Sequence, residues 1–202
     1  MKDIPSDIAF TASVKAEQVK RGSRDQFARM EMDNGWPATI TAGLAEFLAG
    51  VRSCYLASAN AQGQPYIQHR GGPPGFLKPL DEKTIGFADF SGNRQYITTG
   101  NLAENARAFL FVMDYRNRRR VKIWGTARVV ENDEALLSSL MSGSYVATPE
   151  RAILFTVEAW DRNCPQHIPQ LFSLDDVKAA VAGYAARVAE LEAELARLRS
   201  GQ

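Results

Sequence analysis

The sequence predicts a mainly β protein with peripheral helices, built on an antiparallel sheet closed into a barrel and ending in a long amphipathic helix. Three observations lead to this fold class. Five or six short strand-like runs follow one another in the middle of the chain. Most of them are joined by hairpin-length connections with few helices between them, which argues against parallel βαβ units. The C-terminal residues, 173–202, carry an unbroken heptad pattern.

Length and charge narrow the classes of function. The 202 residues allow one sizeable domain with an appendage, or at most two small domains. The 24 basic and 23 acidic side chains nearly balance, so no bulk charge attracts nucleic acid or an anionic membrane. No apolar run reaches the roughly 20 residues of a membrane span. The N-terminus also lacks the apolar core of a signal peptide. We therefore expect a cytoplasmic protein without nucleic-acid or membrane partners.

Cysteine and histidine are scarce. The chain has two residues of each type, Cys54, Cys164, His69 and His167. Two cysteines are too few for a disulfide framework, and the four side chains together make a poor set of metal ligands. We expect no metal site.

The elements follow in order from a polar N-terminal segment. Residues 1–40 are helix-prone with only a weak apolar stripe, which predicts a peripheral helical arm. Residues 41–172 contain the strand-like runs and predict the barrel domain. It begins with a helix in which Leu44, Phe47 and Leu48 have helical spacing.

The strands of the barrel are marked by the turns between them. The stretch from Asn60 to Gly63 separates two apolar runs and indicates a hairpin with a longer, glycine-containing loop. The Pro- and Gly-rich stretch 71–80 predicts a loop. Further strands are predicted in the segments KTIGFADF, ARAFLFVMDY, RVKIWGTARVV and RAILFTVEAW. A helix after Asn132, the candidate N-cap, precedes the last strand.

Residues 173–202 predict a capped helix with a heptad repeat. Ser173 and Asp176 form a box-like capping pair at its start. Apolar residues then recur alternately four and three positions apart, at Val177, Val181, Tyr184, Val188, Leu191, Leu195 and Leu198. Two interpretations stay open: the helix packs on its own barrel, or it contacts a partner chain. The high charge of its other faces favours a partner chain.

The segment SGNRQYITTGNL is the first candidate for chemistry. It places Asn93, Arg94 and Gln95 at the start of a predicted helix, after Gly92. Helix N-termini attract anions, and the planar guanidinium matches phosphate oxygens. Gly-Asn is also a common turn, so the residues alone leave a phosphate site and an ordinary turn as alternatives.

Two further clusters have both a functional and a structural interpretation. In a strand starting near Pro65, Gln68 and Arg70 share one face and His69 lies on the other, followed by glycines that permit close approach of a ligand. His69 is equally typical of an ordinary surface histidine. In the segment NCPQHIPQ, Cys164 and His167 could form an activated thiolate. The alternative is a rigid loop that borders a pocket.

An ordered set of motifs resembles a known family. The segments GQPYIQHR, IGFADFSGNRQY, NLAENARAFLFV and RRVKIWGTARVVEND occur in the order seen in flavin-binding proteins related to pyridoxamine 5′-phosphate oxidase. The resemblance covers about Ala42 to Trp160 and is strongest to the broad branch described only as FMN-binding. It implies an FMN-binding split β-barrel and a homodimer with two FMN sites at the subunit interface.

The resemblance also implies roles for individual residues. The FMN phosphate would be held at Gly92, Asn93, Arg94 and Gln95, with Lys78 as an additional contact. Gln68, His69 and Arg70 would run along the ribityl chain and flavin ring. From the other subunit, Arg120 or Lys122 would reach the flavin. Candidate pocket walls are Trp124, Trp160, Cys164 and His167.

Departures from the oxidase pattern limit the predicted reaction. The chain lacks the basic run on the first flavin strand and the Arg-rich C-terminal segment that holds pyridoxal phosphate, so we do not expect pyridoxamine phosphate as substrate. The prediction is an FMN-dependent oxidoreductase that takes electrons from NAD(P)H or a similar donor and passes them to an unassigned small molecule. The alternatives are a flavin-binding sensor or storage protein, a deazaflavin or haem in the same barrel, and an interaction protein that acts through its C-terminal helix.

Overall fold

The computed structural model describes residues 4–141, 145–162 and 166–200. Contacts within the chain divide it into two compact units. The first comprises Met1–Met113 and Arg120–Cys164, and the second comprises Asp114–Arg119 and Pro165–Gln202. The division into parts 1–40, 41–172 and 173–202 stays a prediction.

The N-terminal arm is helical and is held to the sheet by aromatic rings. Its elements are a short 3-10 helix, Pro5–Ile8, and the helices α1, Ala12–Lys20, and α2, Arg24–Met32. Phe10 packs against Phe27 and Trp36, with ring centroids 5.2 and 4.9 Å away. Trp36 stacks on Trp124 at 4.7 Å. The arm is therefore anchored to the outer face of the strand that carries Trp124.

Helix α3, Ala42–Gly50, opens the barrel as the sequence predicts. The Thr41 hydroxyl caps it by accepting a hydrogen bond from the Leu44 amide at 3.3 Å. Leu44, Phe47 and Leu48 are buried, which confirms the apolar face read from their spacing.

Within the described residues, seven strands form one sheet. They are β1, Ser53–Ala59; β2, Pro65–Gly71; β3, Lys78–Pro79; β4, Thr84–Phe90; β5, Arg107–Asp114; β6, Arg119–Val130; and β7, Pro149–Arg162. Two helices lie between strands, α4, Ile97–Glu104, and α5, Glu134–Leu140. The predicted N-cap of α5 is wrong by one residue: Asp133, not Asn132, accepts from the Leu136 amide at 2.9 Å.

The sequence predicted five or six strands, and the structure has seven within the described residues because β3 was not predicted. It forms within the Pro- and Gly-rich stretch predicted to be loop, where Lys78 pairs with Gly86 and Pro79 with Ile85. A two-residue strand at the edge of a sheet tolerates proline, since one side of the strand needs no ladder donor.

The sheet is rolled but not closed. Its strand order is β2-β1-β5-β6-β7-β4-β3, so β2 and β3 are its edges within the described residues. Four strands separate β2 from β4, yet the Arg70 guanidinium of β2 donates to the Asp89 carboxylate of β4. The fold class, an antiparallel split barrel with peripheral helices and a long C-terminal helix, is confirmed. The sequence predicted a sheet closed by hydrogen bonds between its first and last strands. In the structure these ends are joined instead by the side-chain contact between Arg70 and Asp89.

The core fills the inside of the roll. Along β1, buried and partly exposed residues alternate, as they do in a half-buried strand. Large side chains from five strands are fully buried there, namely Leu56, Phe87, Leu110, Ile123 and Phe155. A bulge at Trp124/Gly125 shifts the register of β6 against β7. A Cβ on Gly125 would lie 1.9 Å from the carbonyl oxygen of Thr156, so the bulge requires glycine.

The second unit contains the β5–β6 hairpin tip and the C-terminal residues. The Arg118 Nε donates to the carbonyl of Ile168 at 3.1 Å, and the Gln170 amide donates to the carbonyl of Arg116 at 2.9 Å. Helix α6, Leu174–Ser200, follows. The Ser173 hydroxyl donates to the Asp176 carboxylate at 2.7 Å and accepts from its amide at 3.2 Å, which confirms the capping pair. Across the described chain, no helix is both long and apolar enough to span a bilayer.

Candidate functional site

A polar cleft lies where the two ends of the rolled sheet approach each other. It is lined by β2, the end of β4, the loop from Ser91 to Tyr96, the first turn of α4 and the start of β7. We call it the β2–α4 cleft. Five of the predicted site residues line it, namely Gln68, Arg70, Gly92, Asn93 and Arg94. The alternation predicted for β2 is confirmed, since Gln68 and Arg70 share the face toward the cleft.

The loop after β4 is exposed and tightly turned. Arg94 and Tyr96 adopt left-handed backbone angles, with φ of 59° and 54°. The Asn93 side-chain oxygen accepts from the Gln95 amide at 3.3 Å, which is a local turn stabilised by its own side chain. Residues 91–97 are exposed, whereas Thr98 at the next position is buried. The loop thus presents its polar groups at the mouth of the cleft.

The N-terminal turn of α4 lines the cleft beside this loop. Tyr96 is its N-cap and supplies no side-chain hydrogen bond to the helix. The first-turn N–H groups of a helix have no acceptor within the helix and carry partial positive charge. Two contacts fix α4 in place: the Thr98 hydroxyl donates to the Gln68 side chain at 2.8 Å, and the Asn101 amide donates to the Ser58 hydroxyl at 3.1 Å.

Two carboxylates in the cleft are already paired with arginines. Asp89 accepts from Arg70, and the two side chains are only 11% and 13% exposed. Glu150 pairs with Arg151 at 2.5 Å. The Nε of Arg151 also lies 3.8 Å from Asp89 Oδ2. Both carboxylates therefore have arginine partners. The hydrogen bond with the Tyr96 hydroxyl, and then the negative charge of Glu150, raise the pKa of Arg94.

The pKa values follow from this arrangement. Burial raises the pKa of Asp89, against the opposing effect of Arg70 and Arg151. Hydrogen bonds from Ser91 and Arg151 lower the pKa of Glu150. Glu150 is therefore held ionised, while the charge of Asp89 depends on its two guanidinium neighbours.

Among the residues that the structure describes, two guanidinium donors at or beside the cleft lack an acceptor. The Nε atoms of Arg70 and Arg151 are buried and have no acceptor within the described residues. The guanidinium of Arg94 donates to the Tyr96 hydroxyl at a long 3.4 Å. That of Arg151 lies 4.8 Å from the centre of the Tyr96 ring. Such unpaired donors suit an anionic ligand.

Other predicted cofactor residues lie elsewhere. Gln95 is in the same loop but does not line the cleft. His69 is exposed on the opposite face of β2, with its ring edge-on to Tyr55 at 5.8 Å. The Lys78 ammonium donates to the carbonyls of Ser139 and Met141 at 2.7 and 3.1 Å, at the end of α5.

The predicted pocket-wall residues are dispersed as well. Trp124 lies in the aromatic stack with Trp36. Trp160 is 5% exposed in the core and donates its Nε1 hydrogen to the carbonyl of Thr39 at 2.8 Å. Arg120, which is predicted to reach the flavin of the other subunit, is partly buried at the start of β6 and does not line the cleft of its own chain. Cys164 lies outside the described residues, and His167 is exposed in the second unit with a φ of 61°.

Sequence reasoning missed six residues of the cleft, namely Asp89, Phe90, Tyr96, Thr98, Thr99 and Glu150. For Asp89 a signal was present, because it interrupts an otherwise apolar strand. It pairs across β4 and β7 with Arg151, which interrupts the next apolar strand in the same way. Within the residues that the structure describes, no group of three or more His, Cys, Asp or Glu side chains is arranged to hold a metal ion.

The comparisons with known proteins identify the family. The family model described as pyridoxamine 5′-phosphate oxidase matches residues 40–164. The chain belongs to this family. The match runs from just before α3 to the end of β7 and contains the whole β2–α4 cleft. A search of curated protein sequences found no match.

Solved structures share the fold at low identity. HupZ of Group A Streptococcus is 18% identical, and the alignment covers 66% of this chain and 99% of that one with a TM-score of 0.50. This likeness shows the fold alone. A structure named F420 reductase is 17% identical over 60% of this chain and 98% of that one, with a TM-score of 0.43. An FAD-binding protein from Mesorhizobium loti is 14% identical over 61% and 94%, with a TM-score of 0.42.

Proposed function

We propose that this member of the pyridoxamine 5′-phosphate oxidase family binds FMN and holds its phosphate at the β2–α4 cleft. The observation that supports the proposal is the exposed Arg94 beside the uncapped N-terminus of α4. A guanidinium fork and a set of free helix amides are two independent features that favour a phosphate group.

The residues present fit a phosphate dianion. Arg94 offers a bidentate donor, and the side-chain amides of Asn93 and Gln95 lie in the same exposed loop. The acids nearby do not oppose the ligand strongly, since Asp89 and Glu150 are each engaged by an arginine. The ribityl chain and ring would run along the face of β2 that carries Gln68 and Arg70.

The remaining contacts would come from a second copy of the chain. In a homodimer with the flavin at the interface, Arg120 would reach the flavin from the partner. The proposed phosphate site leaves out two predicted contacts. His69 lies on the face of β2 opposite Gln68 and Arg70, and Lys78 is engaged at the end of α5.

The proposed activity is that of an FMN-dependent oxidoreductase in the cytoplasm. Bound flavin would supply hydride chemistry between NAD(P)H, or a similar donor, and a small-molecule acceptor. The chain's own part is to bind and orient: Arg94 and the α4 amides hold the charged end, and the tie between Thr98 and Gln68 keeps α4 fixed against β2.

Titration of the purified apoprotein with FMN, followed by quenching of flavin fluorescence, tests the binding site. Loss of a charge-assisted hydrogen bond costs about 1.5–3 kcal/mol, so Arg94→Ala should weaken FMN about 10- to 100-fold. Arg94→Lys should give an intermediate loss, since it keeps the charge without the fork. Arg128→Ala removes an exposed arginine of β6 and should change nothing. Unchanged affinity in Arg94→Ala would place the phosphate elsewhere.

A second experiment separates an enzyme from a binding protein. Stopped-flow mixing of the FMN-loaded protein with NADH or NADPH should bleach the flavin absorbance if the protein takes up hydride. Bleaching only by dithionite would indicate a flavin-binding sensor or storage protein. A Soret band in the purified protein would indicate haem, and tighter binding of a deazaflavin than of FMN would indicate that cofactor. A colourless protein that binds none of them would refute the proposal.

A further inference from the structure

Helix α6 exposes a long apolar stripe. It runs for 27 residues, about 40 Å at 1.5 Å per residue, and none of its residues is buried. Its apolar residues occupy two alternating positions of a heptad, which we call a and d. The a residues are Leu174, Val181, Val188 and Leu195, and the d residues are Val177, Tyr184, Leu191 and Leu198. Their exposed fractions range from 42% to 75%.

An exposed apolar stripe of this length is expected to be buried against another surface. A contiguous row of large apolar side chains is rare on the surface of a monomer and marks a contact site. The spacing of three and four residues is that of a two-helix contact, in which each a or d side chain inserts between four side chains of a facing helix. The choice of facing helix is decided by the charges beside the stripe.

The flanking charges match a second copy of the same helix in parallel orientation. In a parallel pair, each g residue faces the e residue five positions later on the other helix. Here Arg187 faces Glu192, and Glu194 faces Arg199. Both contacts join opposite charges, and two-fold symmetry makes each of them twice. The same charged residues would therefore supply four ion pairs between two copies.

The antiparallel alternative lacks this match. With the same a and d residues overlapping, e residues face e residues, and g residues face g residues. Lys178 would then face Arg199, which joins like charges, while Arg187 would face Ala180. No pair of opposite charges forms in that register. The charge pattern therefore favours the parallel arrangement.

The β-branched a residues in the middle of the helix favour two strands. Two of the four a residues, Val181 and Val188, are β-branched, and two of the four d residues, Leu191 and Leu198, are leucines. β-branched residues at a with leucine at d are typical of parallel dimers, whereas other combinations shift the preference to three or four helices.

We propose that the α6 helices of two copies of this chain form a parallel, in-register, two-stranded coiled coil. The contact joins two copies through a part of the chain that the family match does not include, since that match ends at residue 164. It does not rest on the proposed flavin site and stands whether or not the chain binds FMN.

Single cysteines test the contact in the full-length protein. The starting variant is Cys164→Ser. Cys54 is kept, because it is fully buried and burial raises the pKa of its thiol to about 12. Leu191→Cys places a thiol at d, and Ala193→Cys is the matched control at f, on the opposite side of the same turn. With diamide as oxidant, Leu191→Cys should form a disulfide-linked dimer at least about 10-fold faster than Ala193→Cys.

The same variants report the orientation. In the antiparallel register Leu191 would face Val181 of the other copy. Leu191→Cys alone would then stay monomeric on non-reducing gels, and a mixture with Val181→Cys would cross-link. Equal rates for Leu191→Cys and Ala193→Cys would overturn the coiled coil itself. Cross-linking only in the mixture would overturn the parallel orientation.

Charge reversal supplies an independent measurement. Arg187→Glu turns its contact with Glu192 into a repulsion, and adding Glu192→Arg restores opposite charges. The disulfide rate of Leu191→Cys should fall at least about 3-fold in the single reversal and recover in the double reversal at low salt. A rate that falls equally in both would contradict the proposed pairing of these two residues.

Discussion

Replacing Arg70 by methionine should destabilise the first unit through the buried Asp89. Methionine keeps much of the aliphatic stem and removes the guanidinium. Removing one partner of a buried ion pair costs about 3–5 kcal/mol, because the other charge stays behind without compensation. Arg151 remains, with its Nε 3.8 Å from Asp89 Oδ2, and relieves part of this cost. We therefore expect Arg70→Met to lower the free energy of unfolding by about 2–3 kcal/mol at neutral pH.

The penalty should depend on pH in a defined direction. Burial already raises the pKa of Asp89 above its ordinary value of 3.8, and loss of Arg70 raises it further. An acid whose pKa is raised in the folded protein favours folding below its unfolded pKa, and this contribution is lost as pH rises through the folded pKa. As pH rises to neutral, the variant loses more of this stabilising contribution than the parent does, because its Asp89 pKa is the higher of the two. The penalty of Arg70→Met is thus full at neutral pH and shrinks toward pH 4.

Urea unfolding of both proteins at pH 7.5 and pH 4, at one protein concentration, measures the effect. Arg21→Met is the control, since Arg21 is 74% exposed in its pair with Glu17 and should cost less than about 0.5 kcal/mol. The double variant Arg70→Met/Asp89→Asn should recover about 1–2 kcal/mol as coupling between the two sites. A penalty below about 0.5 kcal/mol at pH 7.5, or one that grows as the pH falls, would refute the reasoning.

Two further predictions concern stability. Gly125→Ala should cost at least about 3 kcal/mol, because its Cβ would lie 1.9 Å from the backbone carbonyl oxygen of Thr156. Gly100→Ala, where nothing lies within 4 Å of an added Cβ, should be neutral or stabilising by up to about 1 kcal/mol in the same urea assay. The Asp133 carboxylate caps α5 by accepting a hydrogen bond from the Leu136 amide at 2.9 Å. Asp133→Ala removes this cap and should lower the free energy of unfolding by about 1 kcal/mol. Asp133→Asn should retain most of that stability, and an equal loss in both variants would argue against the cap.

Local patterns in the sequence predicted the fold well where local physics decides the structure. The buried face of α3, the turn at Asn60 and the cap at Ser173 each depend on residues within four positions of one another. The Asn60 side chain accepts from the amides of Gln62 and Gln64 at 3.1 and 2.9 Å, and Gly63 has a φ of 83°. The period of two along β2 likewise placed Gln68 and Arg70 on one face.

Contacts between residues far apart in the chain could not be predicted from the sequence. Asp89 and Arg151 are cross-strand neighbours only because β4 pairs with β7, and the sequence gives no partner for either strand. Lys78 was assigned to the phosphate, but it is engaged by two carbonyls at the end of α5, more than sixty positions away. Trp160 was predicted to line a pocket, but it is a core residue. Its indole N–H can be buried because it donates to the carbonyl of Thr39, which is 121 positions away in the sequence.

The aromatic stack between the arm and the sheet has an optical consequence. Trp36 and Trp124 lie 4.7 Å apart with their ring planes inclined by only 17°, and the ammonium of Lys122 lies 5.6 and 5.4 Å from the two ring centres. We expect two indoles at this separation to couple their excited states and to give a paired positive and negative band in circular dichroism. That pair vanishes when the arm detaches, even if every strand stays in place. The chain therefore carries a built-in reporter that distinguishes release of its first forty residues from unfolding of the sheet.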